Sequence, residues 1–279
     1  MSCPPKHYLL EQSLEDRNVD DTSKRFDAGR FVSSNLLRFE PDLTQDQIDW
    51  WKTKMFEPYG LYPADLGEKL SASLDESKII TLSRVSPLNH SFYIEVRGAT
   101  PNSVGEAWFH QRRLDLRGRL FEALRMDVPA DDHKMGRGRH LMADLIDTAL
   151  DMKMRQIDIE AEKIGRYVWA RMGFVPERSA WRNLQLEARR RLRMSEHELP
   201  PEVFRNYRDA LDVEDPKMIW EVSAWPELVD SREALVRSKP EKIAIGKALL
   251  LETPANWYGS FDLEDPEALK VFESYVGRR

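Results

Sequence analysis

Apolar and polar side chains alternate clearly in two stretches of this chain. Phe92, Ile94 and Val96 alternate with Tyr93 and Glu95, and Ile157, Ile159 and Ala161 alternate with Gln156, Asp158 and Glu160. A period of two predicts half-buried strands over 91–97 and 156–161. The runs 78–85, 105–115 and 120–128 are rich in β-branched, aromatic and large apolar residues and read as further strands. Arg117-Gly118 joins the last two as a hairpin turn. Between 128 and 156 the period changes. Leu141, Met142, Leu145, Ile146, Ala149 and Leu150 recur at helical spacing. An antiparallel meander therefore leads into a strand–helix–strand unit, whose two strands are expected to be parallel with a right-handed crossover. A short helix over 163–172 follows, stopped by Gly173.

Upstream, Thr44 and Gln47 form a capping box, and Leu43 and Ile48 a hydrophobic staple, so a helix starts at 44 and ends near Pro58. A second short helix is expected over 65–74, and residues 1–28 read as a loose arm. Downstream, helices are expected over 181–194, 200–211 and 266–276. The stretch 218–229 is ambiguous, 244–251 reads as a strand available to join the sheet, and Asn256-Trp257-Tyr258-Gly259 reads as a turn. The fold class is α+β or mixed α/β, a central mixed sheet with mainly helical extensions at both ends. Residues 1–28 form the arm, 29–180 the sheet domain and 181–279 the C-terminal extension.

Composition narrows the chemistry. The formal net charge of −6 argues against nucleic acid as the main partner and mildly favours cationic ones, such as amines. The single cysteine, Cys3, excludes a disulfide framework or a cysteine metal cluster within one chain. Six histidines show no paired metal spacing, so no metal is expected. No apolar run is long enough to span a membrane and the first residues carry no apolar leader core, so a cytoplasmic protein is expected. Neither a nucleophile elbow nor a phosphate-loop lysine motif occurs. The tryptophans are expected in the core, with Trp108 on a central strand available to line an acceptor groove. The run Arg189 to Arg193 is a solvated helix face or a contact for RNA or an acidic partner.

The loop before the 141–150 helix reads His133-Lys134-Met135-Gly136-Arg137-Gly138-Arg139-His140. A glycine loop opening a helix turns backbone N–H groups and the positive dipole end outward, which suits an anion. Arg137, Arg139 and His140 oppose the dipole in the first turn, a placement that a bound phosphate would relieve. A plain glycine turn with solvated arginines is the alternative.

Residues 78–176 resemble the GNAT superfamily of acyl-CoA-dependent N-acyltransferases. Its Gln/Arg-x-x-Gly-x-Gly/Ala signature is matched by His133-Lys134-Met135-Gly136-Arg137-Gly138, with His133 departing. Its Tyr-x-x-x-Gly-Phe signature is matched by Trp169-Ala170-Arg171-Met172-Gly173-Phe174, with Trp169 departing. Glu162 stands where asparagine is common.

The resemblance implies acetyl-CoA or another acyl-CoA as cosubstrate. Its pyrophosphate would lie on the amides of Met135, Gly136, Arg137, Gly138 and Arg139, with His133, Lys134, Arg137, Arg139 and His140 around the phosphates. The backbone of Met126 and Val128 would hold the pantetheine arm, and the Met126 amide would polarise the thioester carbonyl. Glu122 would be the general base. Regular alternation puts it in an apolar row with Leu124, Met126 and Val128, which should raise its pKa, while Asp127 points the other way. The general acid is open: Trp169 fills the tyrosine slot but its indole cannot serve, Tyr167 lies about 200° round the helix and should face elsewhere, and either another residue such as Tyr258 serves or the thiolate leaves without a protein acid. The implied acceptor is a primary amine: a protein lysine or N-terminus, an aminoacyl-tRNA or a small amine. A homodimer is left open. A degenerate binding module of the same fold and a toxin-like acylation of aminoacyl-tRNA are the alternatives.

Overall fold

The computed structural model describes residues 26–32, 37–74, 77–99, 106–128, 136–232 and 241–277. Most of the N-terminal arm and the loop residues His133, Lys134 and Met135 lie outside them. Phe26 and Asp27 are seated: the Phe26 ring stacks on Tyr62 at 5.6 Å, and the Asp27 amide donates to the Tyr62 hydroxyl at 2.8 Å.

The elements, in order, begin with α1 (Ala28–Val32), β1 (Leu37–Glu40), α2 (Gln45–Trp51) and α3 (Pro63–Lys69). The meander follows: β2 (Lys78–Ser86), β3 (Ser91–Ala99), β4 (Glu106–Asp115) and β5 (Leu120–Asp127). Then come α4 (Arg137–Asp151), β6 (Gln156–Ala161), α5 (Gly165–Arg171) and β7 (Val175–Pro176). The remainder holds α6 (Arg178–Met194), α7 (Pro201–Ala210), α8 (Met218–Ala224), β8 (Leu228–Asp230), β9 (Lys242–Ala244), α9 (Ile245–Leu251), β10 (Trp257–Asp262) and α10 (Pro266–Val276).

Thr44 caps α2 in the expected capping box, and Leu43 and Ile48 pack on the core. The helix continues past Trp51 through a wider π-helical turn, Lys52–Phe56, and a last turn, Glu57–Tyr59. The second helix starts two residues before the expected 65, at Pro63, and ends at Lys69.

Eight strands form one mixed sheet in the order β1-β2-β3-β4-β5-β6-β10-β7. The pairs β1–β2 and β5–β6 are parallel and the rest antiparallel. Two readings of the sequence need correction, and two segments it left unassigned take definite form. Residues 244–251 are mostly helix, not strand. The segment read as a turn at 256–259 enters β10. The 218–229 stretch splits into α8 and the start of β8. Strand β1, four residues at the sheet edge, carried too little pattern to be seen. Because β10 lies between β6 and β7, the C-terminal extension is a long excursion that returns to the sheet beside its edge strand, β7.

Cross-strand register separates the two faces. Phe92, Leu114, Phe121 and Ile157 share one row and are fully buried, joined by Phe261 across from Ile157. Trp51 packs on Phe92 at 4.8 Å, and Phe261 meets Phe174 and Phe272 at 5.4 and 6.0 Å, so helices cover this face. The opposite row, Tyr93, Arg113, Glu122, Asp158 and Ser260, stays partly exposed. Trp51, Trp108, Trp181 and Trp257 are fully buried, as expected of core residues. Trp108 therefore does not line an acceptor groove. It lies under the helices, stacked on His110 at 5.9 Å.

Candidate active site

Strands β5 and β6 pair from Leu120↔Gln156 to Ala123↔Ile159 and no further, although both continue to Asp127 and Ala161. They splay apart beyond that point, and the glycine loop follows β5. Opposite the splay, Ala123 pairs with Arg112 and Arg125 with Gln111, so Leu124 is an extra residue, a β-bulge.

The bulge rewrites the expected faces. A bulge reverses the alternation beyond it. Met126 therefore joins the buried row of Phe121 and Ala123, directly across from His110. Arg125 and Asp127 join the face of Glu122. The expected apolar row of Glu122, Leu124, Met126 and Val128 does not exist, and Asp127 points with Glu122 rather than away from it. Glu122 itself is 28% exposed and bonded to Arg113 across the β4–β5 pair. The expected setting, a carboxylate isolated among apolar groups, is absent.

Asp158 was missed by the sequence reading. It sits beside Glu122 in the parallel register. Burial raises its pKa, the Glu177 charge adds to that, and a hydrogen bond from Gln156 works against both. Only the strand register could have paired the two carboxylates. Tyr258, on β10, shares this face. Its hydroxyl bonds to Glu160, with Glu162 and Glu177 nearby, and these raise its pKa.

Gly136 caps α4 in the left-handed region at φ +73°, a conformation that favours glycine. Its carbonyl accepts from the amides of Arg139 and His140 at 2.9 and 3.1 Å. The Arg139 amide is thus spent inside the helix, contrary to its expected role on a phosphate. At Gly138 a Cβ would stand 3.7 Å from the Met126 methyl, an ordinary contact, so packing alone does not demand glycine there. Arg137 is half-buried and His140 exposed.

The Arg139 guanidinium lies 5.8 Å from the Tyr275 ring centre on α10, and Arg171 lies at the same distance from that ring. Tyr167 is half-buried beside Tyr275, whose pKa burial raises. Tyr167 thus belongs to the α4–α5–α10 corner. Trp169 is buried against Phe174 at 5.3 Å. Arg171 and Tyr275 also line a groove of about 650 Å³ between α8 and α10, with Lys217, Trp220 and Lys270.

The arginine run is largely structural. Arg189 reaches the Leu211 carbonyl at 2.8 Å and Asp212 at 2.6 Å, Arg190 pairs with Glu187 at 2.5 Å, and Arg191 is buried. Among the described residues there is no cluster suited to a metal ion, and no helix is long and apolar enough to cross a membrane.

A mixed sheet with a splayed parallel pair beside a glycine-led helix is consistent with the GNAT-like architecture expected from the motifs. No family model matches the chain, and no curated protein does. Among solved structures, a nourseothricin acetyltransferase matches at 20% identity and a TM-score of 0.26, over 33% of this chain and 55% of that one. The chain thus spans about half the length of that enzyme, and so loose a likeness carries no argument about chemistry.

Proposed function

We propose that the protein is an acyl-CoA-dependent N-acyltransferase. The observation that carries this reading is the splay of β5 from β6 beyond Ala123, which takes the backbone of Leu124 to Asp127 out of the β5–β6 ladder before the helix that Gly136 caps. In this reading the pantetheine arm lies along β5 and the phosphates lie by the loop, within reach of Arg137 and Arg139. The Met126 amide donates to the thioester carbonyl. A primary amine attacks that carbon, the carbon–sulfur bond breaks, and CoA leaves as the thiolate. The acceptor's proton passes to the carboxylates of the polar face. Asp158 suits that task better than Glu122, which Arg113 holds in an ion pair. The acidic surroundings, Glu122, Asp158, Glu160, Glu162 and Glu177, suit a cationic acceptor.

Calorimetric titration with acetyl-CoA tests the loop. Micromolar binding is expected for the wild type, and at least a 100-fold loss for Gly138→Glu, which places a carboxylate where a phosphate would lie. Equal binding by a folded variant would remove the loop from the site. Once an acceptor amine is known, Asp158→Asn should lower kcat by about 10²- to 10⁴-fold, and Glu122→Gln by less. The reverse order would return the base to Glu122. The Arg113–Glu122 pair favours a second reading, a binding module that holds CoA without turning it over. Tight binding with no transfer to any amine would establish it.

A further inference from the structure

Among the described residues, Arg112 is a buried cation without a counter-charge. Its residue is 1% exposed, and it forms no ion pair among the described residues. Isolated buried charge is costly, and a methionine would fill similar space. Burial lowers the pKa of the guanidinium to about 9, so it remains cationic at neutral pH. Its Nη1 donates to the carbonyls of Gln111 and Arg125, both at 3.1 Å, and Nη2 lies 3.9 Å from the Met126 sulfur. The neighbouring His110, opposite Met126, is held neutral by burial and by the Arg112 charge.

The Arg125 carbonyl and the Met126 N–H belong to one peptide unit. In a trans peptide the two point in opposite directions. A carbonyl turned toward β4 and Arg112 therefore turns the Met126 N–H toward β6, into the splay. We propose that Arg112 is a positioning residue: it holds the bulged strand and polarises the Arg125–Met126 peptide from behind, strengthening the Met126 N–H as the donor to the thioester oxygen. Hydrogen bonds in a chain reinforce one another, and a charged donor at one end does so most. This inference rests on the acyltransferase reading for its use, but not for its geometry.

The experiment is done first without ligand. In protein labelled with [15N]methionine, Met126→Leu assigns the Met126 amide. Arg112→Met should move that amide proton upfield, well outside the changes at the other methionines, and Arg112→Lys, which keeps the charge, should move it less. If the methionine variant does not fold, the lysine variant carries the same measurement. An unmoved Met126 amide in a folded variant overturns the proposal, whatever acetyl-CoA does. With carbonyl-labelled acetyl-CoA bound, the thioester C=O stretch should lie at higher frequency in Arg112→Met than in wild type, and turnover should fall roughly 10- to 100-fold at unchanged KM. That is less than the 10²- to 10³-fold lost when such a donor is removed outright. An unchanged stretch with acetyl-CoA bound overturns the catalytic use of Arg112. A wild type that binds no acetyl-CoA overturns the acyltransferase reading, while the amide shift still decides whether Arg112 polarises the peptide.

Discussion

Glu252→Ala should lower the stability of the protein by about 3–5 kcal/mol, to be read as an earlier midpoint in urea unfolding. Glu252 and Arg191 have side chains 3% and 4% exposed and meet at 2.7 Å. The other carboxylate oxygen accepts from the Ser231 hydroxyl at 2.9 Å and the Arg232 amide at 2.7 Å. The rest of the guanidinium bonds to the Ser195 hydroxyl and to the Asp230 carbonyl. Removing the carboxylate leaves a buried guanidinium and two donors without their acceptor. The double variant Arg191→Met with Glu252→Leu removes both charges and should regain much of the loss, since a buried pair need not outperform packed apolar groups. If Glu252→Ala alone proved as stable as wild type, the pair would have to be solvated. The effect reaches the fold's centre. Arg166, on α5, bonds to the carbonyls of Leu251 and Thr253 on either side of Glu252, so loosening this knot frees the helix beside the splay.

Gly98→Ala should cost about 1–3 kcal/mol, and Gly98→Val more, in the same unfolding measurement. Gly98 faces Trp108 across the β3–β4 pair, and a Cβ built there would lie 2.1 Å from the indole. The ring cannot withdraw easily, being fully buried and stacked on His110. Trp108→Leu combined with Gly98→Ala should recover part of the loss, and a strictly additive pair would show that the ring does not lie over Gly98. Trp108, His110 and Arg112 are alternate residues on one face of β4. Displacing the indole therefore pushes toward the groups behind Met126, and a binding assay should register the change as well as a melting curve.

Much of this architecture was legible in the residues themselves. The alternation at 91–97 and 156–161, the helical spacing from Leu141 to Leu150 and the Thr44 capping box each specify one local geometry, and each is present. The failures have physical causes. Ala244 to Leu251 is a short apolar run, and such a run has no period to separate a buried helix from a buried strand. Gly246 lies where a Cβ would meet the Val222 carbonyl at 2.2 Å, so close helix packing, not a local preference, decides that segment. Strand β10 was hidden by Gly259, a turn residue by habit. Here it is required because a Cβ would strike the Val175 carbonyl at 2.4 Å and the Trp257 ring at 2.6 Å. At the candidate site the hidden feature was the bulge at Leu124. One extra residue exchanges the faces of everything after it, so period two carried Glu122 and Met126 to the same side when they lie on opposite ones. The pairings of Glu122 with Arg113 and with Asp158 depend on register, which no single strand contains.

The place of β10 has a consequence for synthesis. Until that strand is made, β6 has an open edge and β7 has no partner within the sheet, because it pairs with β10 alone. On a ribosome, roughly a hundred more residues must follow β6 before the gap can close. At about 5–20 residues per second that is on the order of 5–20 s. Through that interval the nascent chain offers an unpaired edge of β6, a surface apt to join a neighbouring polypeptide. Production of this protein should therefore respond to ribosome-associated chaperones and to slower translation more than its final stability would suggest.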